Sequence, residues 1–187
     1  MTQTEPSDQE LWAAVAAGDE DAFGTLFDRH SRAVYNHAFR LCGSWSVAED
    51  LTQATFLVAW RRRGEVRLAH GMALPWLLVV AGNCARTEWR SARRRRALLG
   101  RMPAEHERDP ADDIAGRLDD ERAMGRLLAA VRRLPRAERE AVALCLWSGV
   151  SYAEAAAVLG ITEVAVRSRV SRARSRLTGI LEPKEQR

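Results

Sequence analysis

The stretch SYAEAAAVLGITEVAVRSRVSRARSRL, from Ser151 to Leu177, decides the fold of this chain. It opens on Ser151-Tyr152-Ala153-Glu154, a capping box: the serine oxygen takes an amide proton of the first turn while the glutamate reaches back to the cap amide. A short alanine-rich helix through Ala156, Ala157 and Leu159 follows. Gly160 suits the left-handed conformation that ends a helix, Ile161 can plug a core, and Thr162 can cap the next helix. A short helix, a glycine turn and a longer basic helix make a helix-turn-helix. On the second helix Val166, Val170, Ala173 and Leu177 fall on one narrow core stripe. The opposite side presents Val164, Ser168, Ser171 and Ser175, with Arg167 and Arg174 on one flank and Arg169, Arg172 and Arg176 toward the other. Small residues in the middle let a helix sink into a major groove, and flanking arginines reach phosphates or base edges. A basic run alone would be a solvated surface. With two caps, a turn and a core stripe it points to DNA.

Helical spacing also runs through the rest of the chain, and no alternating strand pattern emerges. Leu11 and Val15 mark a first helix ending near Gly18. Asp19 or Asp21 caps a second, whose Phe23, Leu26, Phe27, Val34, Ala38 and Leu41 recur at helical steps until Gly43 and Ser44 break it. Ser46-Val47-Ala48-Glu49 reads as a further capping box, opening a helix through Leu51, Thr55, Val58 and Ala59 to Arg61-Arg62-Arg63. A loop from Gly64 to Leu74 precedes Pro75, which sits in the first turn of a helix that runs through Trp76, Leu77, Val80, Ala81 and Cys84 into Arg93-Arg94-Arg95-Arg96. Residues 1–96 are therefore expected to form a helical bundle. Residues 97–122, with Gly100, Pro103 and Pro110 among eight acids, read as a flexible acidic linker. Over residues 123–187, Leu127, Leu128, Val131 and Leu134 mark a helix stopped by Pro135. Another carries Ala141, Val142 and Leu144 and ends at Ser148-Gly149. The predicted fold is all-α, with two small helical domains joined by that linker.

Charge follows the same division. Residues 1–96 hold 13 basic and 11 acidic side chains, 97–122 hold 4 and 8, and 123–187 hold 12 and 6. Two basic blocks suit a polyanion. The polar, acidic start and the absence of a long apolar run argue against a signal peptide or a membrane span and for a cytoplasmic protein. Cys42, Cys84 and Cys145 lie far apart with no C-x-x-C pair, and read as small buried hydrophobes in a reducing compartment. His30, His37, His70 and His106 show no metal-ligand spacing, and there is no nucleophile elbow or phosphate loop. Asp19, Glu20 and Asp21 cluster at a helix start, where acids offset the dipole. The expectation is no enzyme, no metal and no cofactor.

Leu134-Pro135-Arg136-Ala137-Glu138-Arg139-Glu140-Ala141-Val142 followed by the helix-turn-helix resembles region four of sigma-70 family factors. Independently, Ala48-Glu49-Asp50-Leu51-Thr52-Gln53-Ala54-Thr55-Phe56-Leu57-Val58-Ala59-Trp60 resembles the region-two helix of that family, and Pro75-Trp76-Leu77-Leu78 with Asn83 resembles its promoter-melting helix. Two such domains and nothing else is the pattern of the extracytoplasmic function (ECF) group. The resemblance covers nearly the whole chain outside the first residues and the linker.

The resemblance implies an RNA polymerase sigma factor directing promoter-specific initiation, an alternative factor responding to stress or another signal. Residues 1–96 would be region two, binding core polymerase and recognising and melting the minus-ten element, and residues 123–187 region four. Asp50, Gln53 and Phe56 would contact the clamp of the largest polymerase subunit. The three lie three apart, close enough around a helix to form part of one contact surface, and Gln53→Ala with Phe56→Ala is expected to lower polymerase affinity while leaving the chain folded. Asn83 and Arg86 would contact the minus-ten element, and the loop from Gly64 to Leu74 would hold its flipped base. Arg167, Ser168, Ser171, Arg172 and Arg174 would read the minus-thirty-five element. Region four would meet the flap of the second-largest subunit, the linker would thread toward the RNA exit path, and an anti-sigma factor is a further expected partner. The chain departs from the family's pattern at Ala54, where an acid is common, at Val79, where a base is frequent, and in a minus-ten loop without an aromatic.

Two other readings compete. A helix-turn-helix regulator acting without polymerase, such as a response regulator, needs an α/β receiver domain, and residues 1–96 offer only helices. An all-α hydrolase needs a catalytic constellation that the histidines and acids do not form.

Overall fold

The computed structural model describes residues 5–99, 124–125 and 127–181, and every regular element among them is helical. Residues 100–122, most of the acidic linker, lie outside the described residues. Four helices form the first unit: α1 (Asp8–Ala16), α2 (Glu20–Cys42), α3 (Trp45–Arg62) and α4 (Ala73–Leu99). The second comprises α5 (127–132), α6 (Arg136–Ala141), a π-type turn (Val142–Trp147), α7 (Tyr152–Leu159) and α8 (Glu163–Leu181).

Local chemistry accounts for the ends of these helices. Asp19 caps α2, its carboxylate accepting from the Ala22 amide at 2.9 Å. Ser7 and Glu10 form a capping box on α1 that the spacing left unread. The box expected at Ser46 does not form. The helix begins earlier, with Ser44 as cap and no side-chain hydrogen bond to it. Its first residue, Trp45, stacks on Phe39 with ring centroids 3.7 Å apart and lies near parallel to Tyr35. Aromatic packing thus sets the start of α3, not capping chemistry. Gly43, at φ +72, ends α2 in the left-handed conformation, and a Cβ there would come within 2.8 Å of Leu128. The residue that turns the chain is also where α5 leans on α2.

Leu26, Val34, Leu77 and Leu78 are fully buried where α2, α3 and α4 meet; each such leucine contributes about 1.5–3 kcal/mol relative to exposure. Asp8 pins the start of the chain across the bundle. It accepts from Arg29 and His30, each at 2.8 Å, and from the Ala73 amide at 2.9 Å, so it caps α4 from a distance. Burial works to raise its carboxyl, but these partners outweigh burial and hold it below the ordinary range.

The two units do not stand apart. The apolar core of the first unit continues into Leu144, Val150, Ala155 and Ala156 of the second. Helix α7 packs on α4 and on the short 3-10 turn Ala69–Gly71, while the π-type turn packs on α2 and α4. Besides the linker expected at residues 97–122, a shared apolar face joins the two units.

All three cysteines are free and half-buried. Burial pushes the Cys145 thiol up to about 11 and raises Cys84 as well, away from the reactive thiolate. Among the described residues no helix is long and apolar enough to cross a membrane, and no cluster of His, Cys, Asp or Glu could hold a metal ion.

Candidate nucleic-acid interface

Helix α8 is built as its spacing predicts. Ser151 and Glu154 exchange amide hydrogen bonds at 2.8 and 3.2 Å, Gly160 sits at φ +65, and the Ala165 amide donates to Thr162 at 3.2 Å. Val166, Val170 and Ala173 are buried, with Leu177 packed at the edge of the same core. The opposite face is open to solvent: Val164 is 76% exposed, and Ser171, Arg172, Arg174 and Ser175 are exposed around it. Ser168 is half-buried.

The arginines of this helix are not equivalent. Arg167 pairs with Glu163 at 3.0 Å and lies over the Tyr152 ring. Arg172 donates to Ser168 Oγ at 2.8 Å and lies 3.4 Å from Glu138, which also meets Arg176 at 3.2 Å. Spacing along α8 could not reveal Glu138, which comes from α6.

In the first unit Asn83 is exposed on α4. Arg86 is half-buried and donates to Glu140 of α6 at 2.5 Å, and Arg136 donates to the same carboxylate at 3.0 Å. Arg86 is thus engaged across the unit boundary. Asn83, Arg86, Trp89 and Arg90 line one wall of a cleft of about 340 Å³, and Arg136 and Arg139 line the other. The loop from Gly64 to Leu74 carries the 3-10 turn, with His70 at φ +53, and is anchored by the Trp12 indole donating to the Val66 carbonyl at 3.2 Å. Helix α7 covers part of it.

On α3, Asp50 and Gln53 are exposed, but Phe56 does not join them. It is 4% exposed and packs edge-on against Phe23 and Phe27. The apolar side chain on the Asp50–Gln53 face is Leu57, 49% exposed. One turn beyond Gln53 and two beyond Asp50, it follows from helical spacing, whereas Phe56 is turned toward the core.

Two further contacts join the units. His37 Nδ1 lies 2.7 Å from Ser148 Oγ, and Arg40 donates to the Trp147 carbonyl. Burial, with help from the Arg40 charge, pushes the His37 pKa down to about 4. Both contacts land at the end of the π-type turn, whose irregular backbone presents them.

Comparison with known proteins agrees with this geometry. Residues 26–95 match the model for sigma-70 region 2, and residues 124–177 match that for sigma-70 region 4. The chain is 33% identical over 186 residues to the RNA polymerase sigma factor NccH of Alcaligenes xylosoxydans xylosoxydans, covering 96% of this chain and 97% of that one. It is 37% identical over 175 residues to the ECF RNA polymerase sigma factor BldN of Streptomyces coelicolor, covering 92% of this chain but only 65% of BldN. Among solved structures it resembles CnrH in complex with the cytosolic domain of CnrY, with a TM-score of 0.70, 28% identity, and coverage of 96% of this chain and 100% of that one.

Proposed function

The chain belongs to the ECF group of sigma-70 RNA polymerase sigma factors, which direct transcription initiation, and from that premise we propose which surfaces carry each step. The open face of α8, with small residues between flanking arginines and a buried stripe behind, carries the reading. Arg167, Ser168, Ser171, Arg172 and Arg174 contact the minus-thirty-five element, with serines at the groove floor and arginines at base edges and phosphates. Asn83 and Arg86 contact the minus-ten element, and the loop from Gly64 to Leu74 receives its flipped base. Asp50 and Gln53, with Leu57 supplying the apolar contact once assigned to Phe56, meet the polymerase clamp. Functional domains then span 1–96 and 123–187, joined by 97–122. The chain performs no chemistry of its own and works in the cytoplasm, where its polymerase is.

The closed packing gives a reason for the factor to need polymerase. Arg86 is bonded to Glu140 and α7 leans on the minus-ten loop, so the two units must separate before both promoter elements are read. Core polymerase supplies that separation. An anti-sigma factor is a further partner of this reading, supported by the solved structure of the similar CnrH in complex with the cytosolic domain of CnrY.

Purified chain added to core polymerase should start transcription at defined sites. Transcription from random positions, or none, rejects the reading. On the same templates Arg172→Ala should weaken promoter binding by about 1–3 kcal/mol while sparing random duplex. Equal losses on both would make Arg172 a phosphate contact.

A further inference from the structure

Glu138 is an acid where an acid is costly. It is 5% exposed on α6, in the first turn of the helix that follows Pro135, and its Oε2 has no hydrogen bond. What balances it is α8: Arg172 Nε lies 3.4 Å from Oε1 and Arg176 Nε 3.2 Å from Oε2. The arginines are one turn apart and their side chains remain more than half exposed, and the carboxylate is an ion-pair partner at the Nε edge of each guanidinium. Ser168 holds Arg172 from a second side, at 2.8 Å. A guanidinium fixed in this way has already lost the rotamer freedom that base reading would otherwise cost. Its pairing also offsets positive charge that would serve on any duplex.

We propose that Glu138 is a positioning residue for promoter reading, its buried carboxylate aiming Arg172 and Arg176 and, by pairing with them, suppressing binding to unspecific DNA. This rests on α8 being the DNA-reading helix. A residue that does not touch DNA thereby sets how far the helix discriminates between sequences.

The test uses holoenzyme rebuilt from core polymerase and full-length chain. Affinity is measured on duplex with the cognate minus-thirty-five element and with that element scrambled, across a salt series. Glu138→Gln should lower the ratio of cognate to scrambled affinity about tenfold, hold or raise scrambled-duplex affinity, and steepen its salt dependence. Glu138→Asp, which keeps the buried charge but withdraws it from the arginines, should lower the ratio less, and it carries the test should the glutamine variant fail to fold. A parallel loss on both duplexes, or an unchanged ratio in a folded variant, overturns the proposal. Arg172→Ala in the same series separates the two claims. If it leaves cognate binding intact, the DNA-reading assignment of α8 falls. If it weakens cognate binding while Glu138→Gln preserves the ratio, only the role of Glu138 falls.

Discussion

Phe56→Ala should cost about 3–5 kcal/mol of stability, a large share of the usual margin of about 5–15 kcal/mol. The ring is buried between Phe23 and Phe27, and Phe23 in turn packs on Trp60, so truncation opens a cavity inside an aromatic cluster that cannot collapse without moving α2 against α3. Urea unfolding of the purified variant measures the loss. A stability within 1 kcal/mol of wild type, on the scale of a surface substitution, would mean the ring is not packed as described. This revises the double substitution of Gln53 and Phe56 as a probe of the clamp. In the double variant a drop in polymerase binding would mix lost stability with lost contact, whereas Gln53→Ala alone removes an exposed side chain and interrogates the surface itself.

The second large effect concerns the closed packing. His37 is neutral when buried against Ser148, with its pKa pushed to about 4 from an ordinary 6.5. Once the units separate it is free to take a proton at its usual pH. A lowered pKa means that the contribution is fully present above about pH 6.5 and is lost as pH falls toward 4. The share of the burial that the second unit supplies sets the size of the effect, at most about 3 kcal/mol, of which about 2 would be lost between pH 7 and 5. A fluorescence-transfer pair on α3 and α8 should report increasing separation over that range in the wild-type chain. In His37→Gln the pH response should be much shallower, because the other hydrogen bonds described between the units, Arg40 to the Trp147 carbonyl and Arg86 to Glu140, involve no histidine. Identical pH profiles for the two proteins would remove His37 from any part in closing the molecule.

Much of this molecule is legible from spacing alone. The capping box at Ser151, the left-handed Gly160, the Thr162 cap and the buried stripe of α8 all involve partners within a turn or so along the chain. Such contacts are set by helix geometry whatever the rest of the protein does. The same logic found the Asp19 cap and the Gly43 break. It misplaced the start of α3, because a serine with a glutamate three residues on satisfies the capping pattern, while the Trp45 ring gained more by stacking on Phe39. It grouped Phe56 with Asp50 and Gln53 because steps of three keep residues near one another on a helix but drift by about 60° each, enough to carry the third into the core.

By itself the sequence determined that the chain is helical throughout its described parts, where most of its helices begin and end, and which side of α8 is left open to solvent. Only the tertiary structure decided that the two units close on each other, that Arg86 is held by Glu140, that His37 is buried against Ser148, and that Glu138 pairs with Arg172 and Arg176. The reason is separation along the chain: 54 residues part Arg86 from Glu140 and 111 part His37 from Ser148. No periodicity encodes a pair so distant. Each becomes a contact only after apolar burial has brought whole helices together, and a polar side chain then finds whatever partner that packing leaves within reach.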